Sequence, residues 1–152
     1  MKNTILVLLI LFLYSCGYST VYKTKEIQDF QITITNMQGD NEFNNLIKNE
    51  LNLYSNKNAK KNYNISINSD YIKNIISKDS SGVASNYNLT LSTNIQVNLN
   101  NNNKTYKFKE SVNIKNSTDS FEQNNYEKNI KRNIASIIRE KLIIKLLDIN
   151  DY

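Results

Sequence analysis

"NYNLTLSTNIQVNL", Asn86 to Leu99, is the stretch that decides the fold. Tyr87, Leu89, Leu91, Ile95, Val97 and Leu99 share one phase of a two-residue period, and Thr93 is the only polar residue among them. Asn86, Asn88, Thr90, Ser92, Asn94, Gln96 and Asn98 share the other phase. Successive side chains of a strand point to opposite faces, so an alternation of this length means a strand with one face in a core. A helix would scatter the same apolar residues around its circumference.

The neighbouring segments repeat the pattern. The run of asparagines at 100–103 is a turn, because asparagine tolerates positive φ. Beyond it Tyr106, Phe108, Val112 and Ile114 point inward, with Lys107, Lys109 and Asn113 outward. Upstream of "KDSSG" lies another strand, in which Tyr63, Ile65 and Ile67 alternate. Its phase blurs at "SDYIKNIIS", where a bulge or bend would account for both Tyr71 and Ile72. "FQITIT", with Phe30, Ile32 and Ile34 in phase, gives a first strand that "NMQGDNEF" closes.

Two segments follow the helical period instead. Asp40 or Asn41 caps a short helix carrying Phe43, Leu46, Ile47, Leu51 and Tyr54 on one face, with only Glu50 interrupting it. A longer helix begins near Ser117–Ser120. Tyr126, Ile130, Ile134, Ile137, Ile138 and Leu142 form its apolar face, and Lys128, Lys131, Arg132, Arg139 and Glu140 its polar one. From Phe121 to Leu147 it would be about 40 Å long. Its end, "LIIKLL", is apolar nearly all round and reads as core, the alternative being a patch for a partner. The order β-α-β-β-β-α predicts an α+β two-layer sandwich: a four-stranded mixed sheet with both helices packed on one face. The other sheet face is then open and rich in amides and hydroxyls.

The chain begins with one lysine and an apolar run, Ile5 to Tyr14, that ends at the sole cysteine, Cys16. About ten apolar residues span roughly 15 Å as a helix, half of a ~30 Å hydrocarbon core, which suits a signal peptide rather than a spanning helix. Leu13-Tyr14-Ser15-Cys16 resembles the lipobox of bacterial lipoproteins. That resemblance implies removal of residues 1–15, acylation of Cys16, a tether over 16–26 and a domain over 27–152. Gly17 in place of an aspartate implies the outer membrane in a cell with two membranes. Without lipidation, Cys16 would be an unpaired thiol in an oxidising compartment.

Composition excludes much chemistry. The chain has no histidine, so it has no Ser-His-Asp or Cys-His arrangement and no imidazole metal ligand. Gly17, Gly39 and Gly82 stand too far apart to cradle a phosphate. No acidic pair occupies an apolar setting. The sequence therefore points away from an enzyme, a cofactor and a metal. The formal charge of +5 fits an anionic partner without requiring one, and nothing calls for nucleic acid. The asparagine content fits an AT-rich genome.

Taken in order, these segments resemble the LPS-assembly lipoprotein family, LptE, in its alphaproteobacterial branch. The residues that carry the likeness are Cys16-Gly17-Tyr18 with Tyr22, "GDNEFNNLIKNELN", "YNISI", "SSGVASNYNLTLSTNIQVNL", "YKFKESVNIKNS" and "FEQNNYEKNIKRNIASIIREKL". The resemblance implies a lipoprotein held on the inner leaflet of the outer membrane, facing the periplasm. It would plug the LPS-translocating barrel LptD, assist its assembly and contact lipopolysaccharide. A plug for a polar lumen needs a hydrogen-bonding surface, which makes Asn88, Thr90, Ser92, Asn94 and Gln96 the candidate barrel-facing residues. Lys104, Lys107 and Lys109 are candidates for the phosphates of LPS, or solvating charges that discourage edge pairing. The competing readings are a free periplasm-facing lipoprotein that binds a small lipid or a protein and, disfavoured by the composition, an envelope enzyme.

Overall fold

The computed structural model describes residues 30–100 and 102–148. The elements are β1 (Phe30–Gly39), α1 (Asn41–Asn52), β2 (Lys61–Lys78), β3 (Ala84–Leu99), β4 (Asn102–Lys115) and α2 (Ser120–Leu147). The expected α+β sandwich is present. The four strands lie in the sheet in chain order, β1-β2-β3-β4. β1 runs parallel to β2, and the other two pairings are antiparallel.

Local chemistry sets the ends of these elements. Asp40 caps α1 by accepting a hydrogen bond from the Phe43 amide at 2.7 Å, and Asp119 caps α2 through the amides of Phe121 and Glu122. Asn100, at φ 51°, turns the chain from β3 into β4. Gly39, at φ 87°, ends β1 where a Cβ would meet the Ser69 carbonyl oxygen at 1.8 Å, so only glycine allows that approach. After α1 the chain returns along the outer edge of β1. There Ser55 accepts from the Ile32 amide and the Asn56 amide donates to the Phe30 carbonyl, which shields part of that edge.

The alternation in β3 is realised as read. Leu89, Leu91, Thr93, Ile95 and Val97 are buried under the helices, and Asn94 and Gln96 are exposed on the other side. Thr93 tolerates burial because its hydroxyl donates to the Asn68 carbonyl at 3.3 Å. Phe43, Ile47 and Leu51 from α1, and Ile134, Ile138 and Leu142 from α2, close the core. At the C-terminal end of α2, Leu142, Ile143 and Leu146 are buried while Ile144 and Leu147 are exposed, so "LIIKLL" is core on one side only.

Four details differ from the sequence reading. β1 does not stop at Thr35; it absorbs a bulge between Ile34 and Asn36 and continues to Gly39. The irregularity in β2 is not at Tyr71 and Ile72, where the register with β3 is unbroken, but at Ile75 to Ser77. Tyr71 therefore faces the helices and Ile72 is exposed on the open face. Tyr126 and Ile137, assigned to the apolar face of α2, are exposed. Lys131, assigned to its polar face, is buried: its ammonium pairs with Glu42 of α1 at 2.7 Å and lies 4.1 Å from the ring centre of Tyr71.

Candidate functional site

The open face of the sheet is built by the register. Directly paired residues on neighbouring strands point the same way, so one transverse row runs Asn74, Asn88, Asn113 and the next Ile72, Thr90, Ser111. Then follow Asp70, Ser92, Lys109; Asn68, Asn94, Lys107; and Ser66, Gln96, Thr105. β1 adds Gln31, Thr33, Asn36 and Gln38 in register with β2. Of these residues only Ile72 is apolar. The five barrel-facing candidates, Asn88, Thr90, Ser92, Asn94 and Gln96, form the central column of this surface.

The face is organised by its own hydrogen bonds. Asn88 donates to Asn113 at 2.6 Å, and Thr90 lies 2.9 Å from the Asn88 carbonyl oxygen and 2.9 Å from the Ser111 hydroxyl. Farther along, Ser66 reaches Gln96 and Asn98 donates to Asn103. An amide offers two donors and two lone pairs, so each of these side chains keeps capacity for a partner after its cross-strand bond is made. The result is a hydrogen-bonding surface, able to engage donors and acceptors alike.

The three candidate lysines do not stay together. Lys107 and Lys109 sit on the open face beside Asn94 and Ser92, but Lys104 pairs with Val97 and so belongs to the helix side. All three are exposed. Cys16 lies outside the described residues. Among the described residues no group of three or more His, Cys, Asp or Glu could hold a metal ion.

The perturbed ionisable groups lie elsewhere. Burial pushes the Tyr71 hydroxyl well above the usual tyrosine range, and its hydrogen bond to Glu127 adds to this. Burial also acts to raise the Glu127 carboxyl, but hydrogen bonds from Lys73, Gln123 and Tyr71 outweigh it and hold the group below its ordinary value. Sequence reasoning missed this cluster, which joins β2 to α2 over 54 residues. It also missed the exposed apolar side chains at the far end of the β2–β3 hairpin: Ile75, Ile76 and Val83.

No protein-family model and no curated protein matches this sequence. Solved structures do match. The rare lipoprotein B from Shewanella oneidensis aligns with a TM-score of 0.55 at 12% identity, over 76% of this chain and 98% of its own. A Caulobacter crescentus protein described as a lipoprotein aligns with a TM-score of 0.54 at 10% identity, over 79% of this chain and 89% of its own. The shared property is the fold. Both of these structural neighbours are named as lipoproteins.

Proposed function

We propose that this chain is a non-catalytic, lipid-anchored subunit of an LPS-transport complex in the outer membrane. It is acylated at Cys16, faces the periplasm, and plugs and helps assemble an LptD-type barrel. The observation that carries this reading is the open sheet face, whose register-paired residues are polar across all four strands apart from Ile72. A barrel lumen is polar and confined, and a surface with unspent donors and acceptors can pair with its wall. Lys107 and Lys109, on that same face, are placed to meet phosphates passing along it. The LptE-like order of segments supports this reading, as does the fold shared with lipoproteins.

The test is purification of the tagged full-length chain from detergent-solubilised outer membranes. The expected result is a large β-barrel protein in one-to-one ratio, stable to gel filtration. Recovery of the chain alone from intact outer membranes would overturn the proposal and leave the free lipid- or protein-binding module.

A further inference from the structure

β1 and α1 cover only part of the sheet. β1 ends at Gly39, opposite Ser69, and α1 starts two residues later. β2 continues to Lys78, so from Asp70 onward its outer edge has no strand beside it among the described residues.

The composition of the core changes at that level. Gly39, Ser69 and Thr93 form one transverse row of the helix-facing side, completed on β4 by the half-buried Phe108, where the row below carries Met37, Ile67, Ile95 and Tyr106. Ser69 and Thr93 are buried, as are Asn44 of α1 and Lys131 of α2. The Ser69 hydroxyl donates to Asn44 at 2.8 Å, Asn44 donates to the Gln38 carbonyl at 2.7 Å, and Lys131 spans from Glu42 to the Tyr71 ring. This polar layer crosses the sandwich from sheet to helices.

The apolar core is unequal on its two sides. Beyond the layer, toward the hairpin end, the buried apolar side chains are Leu89, Leu91, Ile114 and Ile130. Tyr71, Tyr87 and Val112 are half-buried there, and Ile75, Phe121 and Tyr126 are exposed. Beside these side chains, Glu127 joins hairpin to helix at this end through hydrogen bonds and one ion pair. Glu127 accepts from the Tyr71 hydroxyl at 2.7 Å, the Lys73 ammonium at 2.6 Å and the Gln123 amide at 2.7 Å. Few buried apolar contacts and solvent-reachable polar bonds are the marks of a segment that opens locally.

The geometry points to a separately opening end of the molecule, with the polar layer as its boundary and Glu127 as its latch. The unit comprises β2 from Asp70, β3 up to Ser92, β4 from Lys109, and the turns of α2 from Ser120 to Ile130. Its release exposes little of the main core, because Ser69, Thr93, Asn44 and Lys131 already present a hydrogen-bonded polar surface at the boundary. The reverse does not hold, since the hairpin end has too small a core to persist once the main one is lost.

Hydrogen exchange of the mature chain, followed by mass spectrometry across a denaturant series, tests this. Peptides from residues 70–92 and 120–130 should exchange faster than those from 41–52 and 134–147, and by an opening step of their own. Glu127→Gln should lower protection of the first set by roughly tenfold, the loss expected for bonds to a charged group, and leave the second set unchanged. Tyr71→Phe, a milder change, should give the same pattern at smaller amplitude. Leu142→Ala, in the main core, should lower protection of both sets. A single uniform exchange class would overturn the proposal, and so would equal loss in both sets on latch substitution.

Discussion

The Tyr63 hydroxyl donates a hydrogen bond to the Leu146 backbone carbonyl at 2.9 Å, a buried contact between residues 83 positions apart. It ties the start of β2 to the last turn of α2, where helix carbonyls lack intrahelical partners. The ring beneath it packs edge-on against Phe30, with centroids 5.4 Å apart. One residue therefore fixes the end of the helix and fills the core below it.

These two roles separate by mutation. Tyr63→Phe keeps the ring and should cost about 0.5–1.5 kcal/mol, the net worth of one hydrogen bond. Tyr63→Ala should cost about 3–5 kcal/mol through the lost ring and the cavity. Urea titration measures both, and equal losses would show that the ring contributes nothing beyond the hydroxyl.

The two faces of the sheet give a second contrast. Leu91 is fully buried, so Leu91→Ala should cost about 2–5 kcal/mol. Ile72 faces the other way and is 44% exposed, so Ile72→Thr should stay within about 0.5 kcal/mol. A loss under about 0.5 kcal/mol for Leu91→Ala would reverse the assignment of the faces.

The same contrast explains what could be read from the sequence. Asn86–Leu99 is flanked on both sides by strands in register, so its two faces see two uniform environments and the alternation is clean. The end of β2 has no such uniformity. Once β1 stops at Gly39, Ile72, Ile75 and Ile76 lie along an edge with no strand beside it among the described residues, where apolar side chains need not point inward, and the phase fades. Lys131 failed for a different reason. Its helical position faces the seam with α1, and its burial depends on Glu42 and Tyr71, which lie far away in the chain. Local periodicity carries no record of such a partner. The open face was legible because every second residue from Asn86 to Asn98 is polar; the separation of Lys104 from Lys107 and Lys109 was equally visible in their parity.

The latch at Glu127 predicts an acid response. Hydrogen bonds from Lys73, Gln123 and Tyr71 hold its folded carboxyl below the ordinary value, against the upward push of burial. A depressed carboxyl contributes stability that is fully present above its unfolded pKa and is lost as pH falls through its folded one. Protection of residues 70–92 and 120–130 against hydrogen exchange, corrected for intrinsic rates, should therefore weaken below about pH 4. Glu127→Gln should start from lower protection and show a flatter acid response. An identical acid profile in the variant would assign the effect to other carboxylates.

The open face gives the sharpest test of the plug. If Asn88, Thr90, Ser92, Asn94 and Gln96 met only water, a bulky charged replacement there would change stability by no more than about 0.5 kcal/mol and alter nothing else. Inside a barrel the same replacement meets a wall. Thr90→Arg inserts a long charged side chain between Ile72 and Ser111, on the side of β3 that points away from Leu89 and Leu91. The domain should keep its thermal stability, because the new side chain does not enter the core. Association should fail or slow, because excluded volume and the cost of stripping water from the guanidinium fall on the bound state alone. The expected signature is an unchanged melting temperature for the isolated chain together with reduced recovery of the barrel in a pull-down. Gln96→Arg, farther down the same column, should act alike. Lys104→Glu, on the opposite side of the sheet, should leave recovery unchanged. Full recovery with both arginine variants would move the contact to the loops or to the exposed Ile144 and Leu147 at the end of α2.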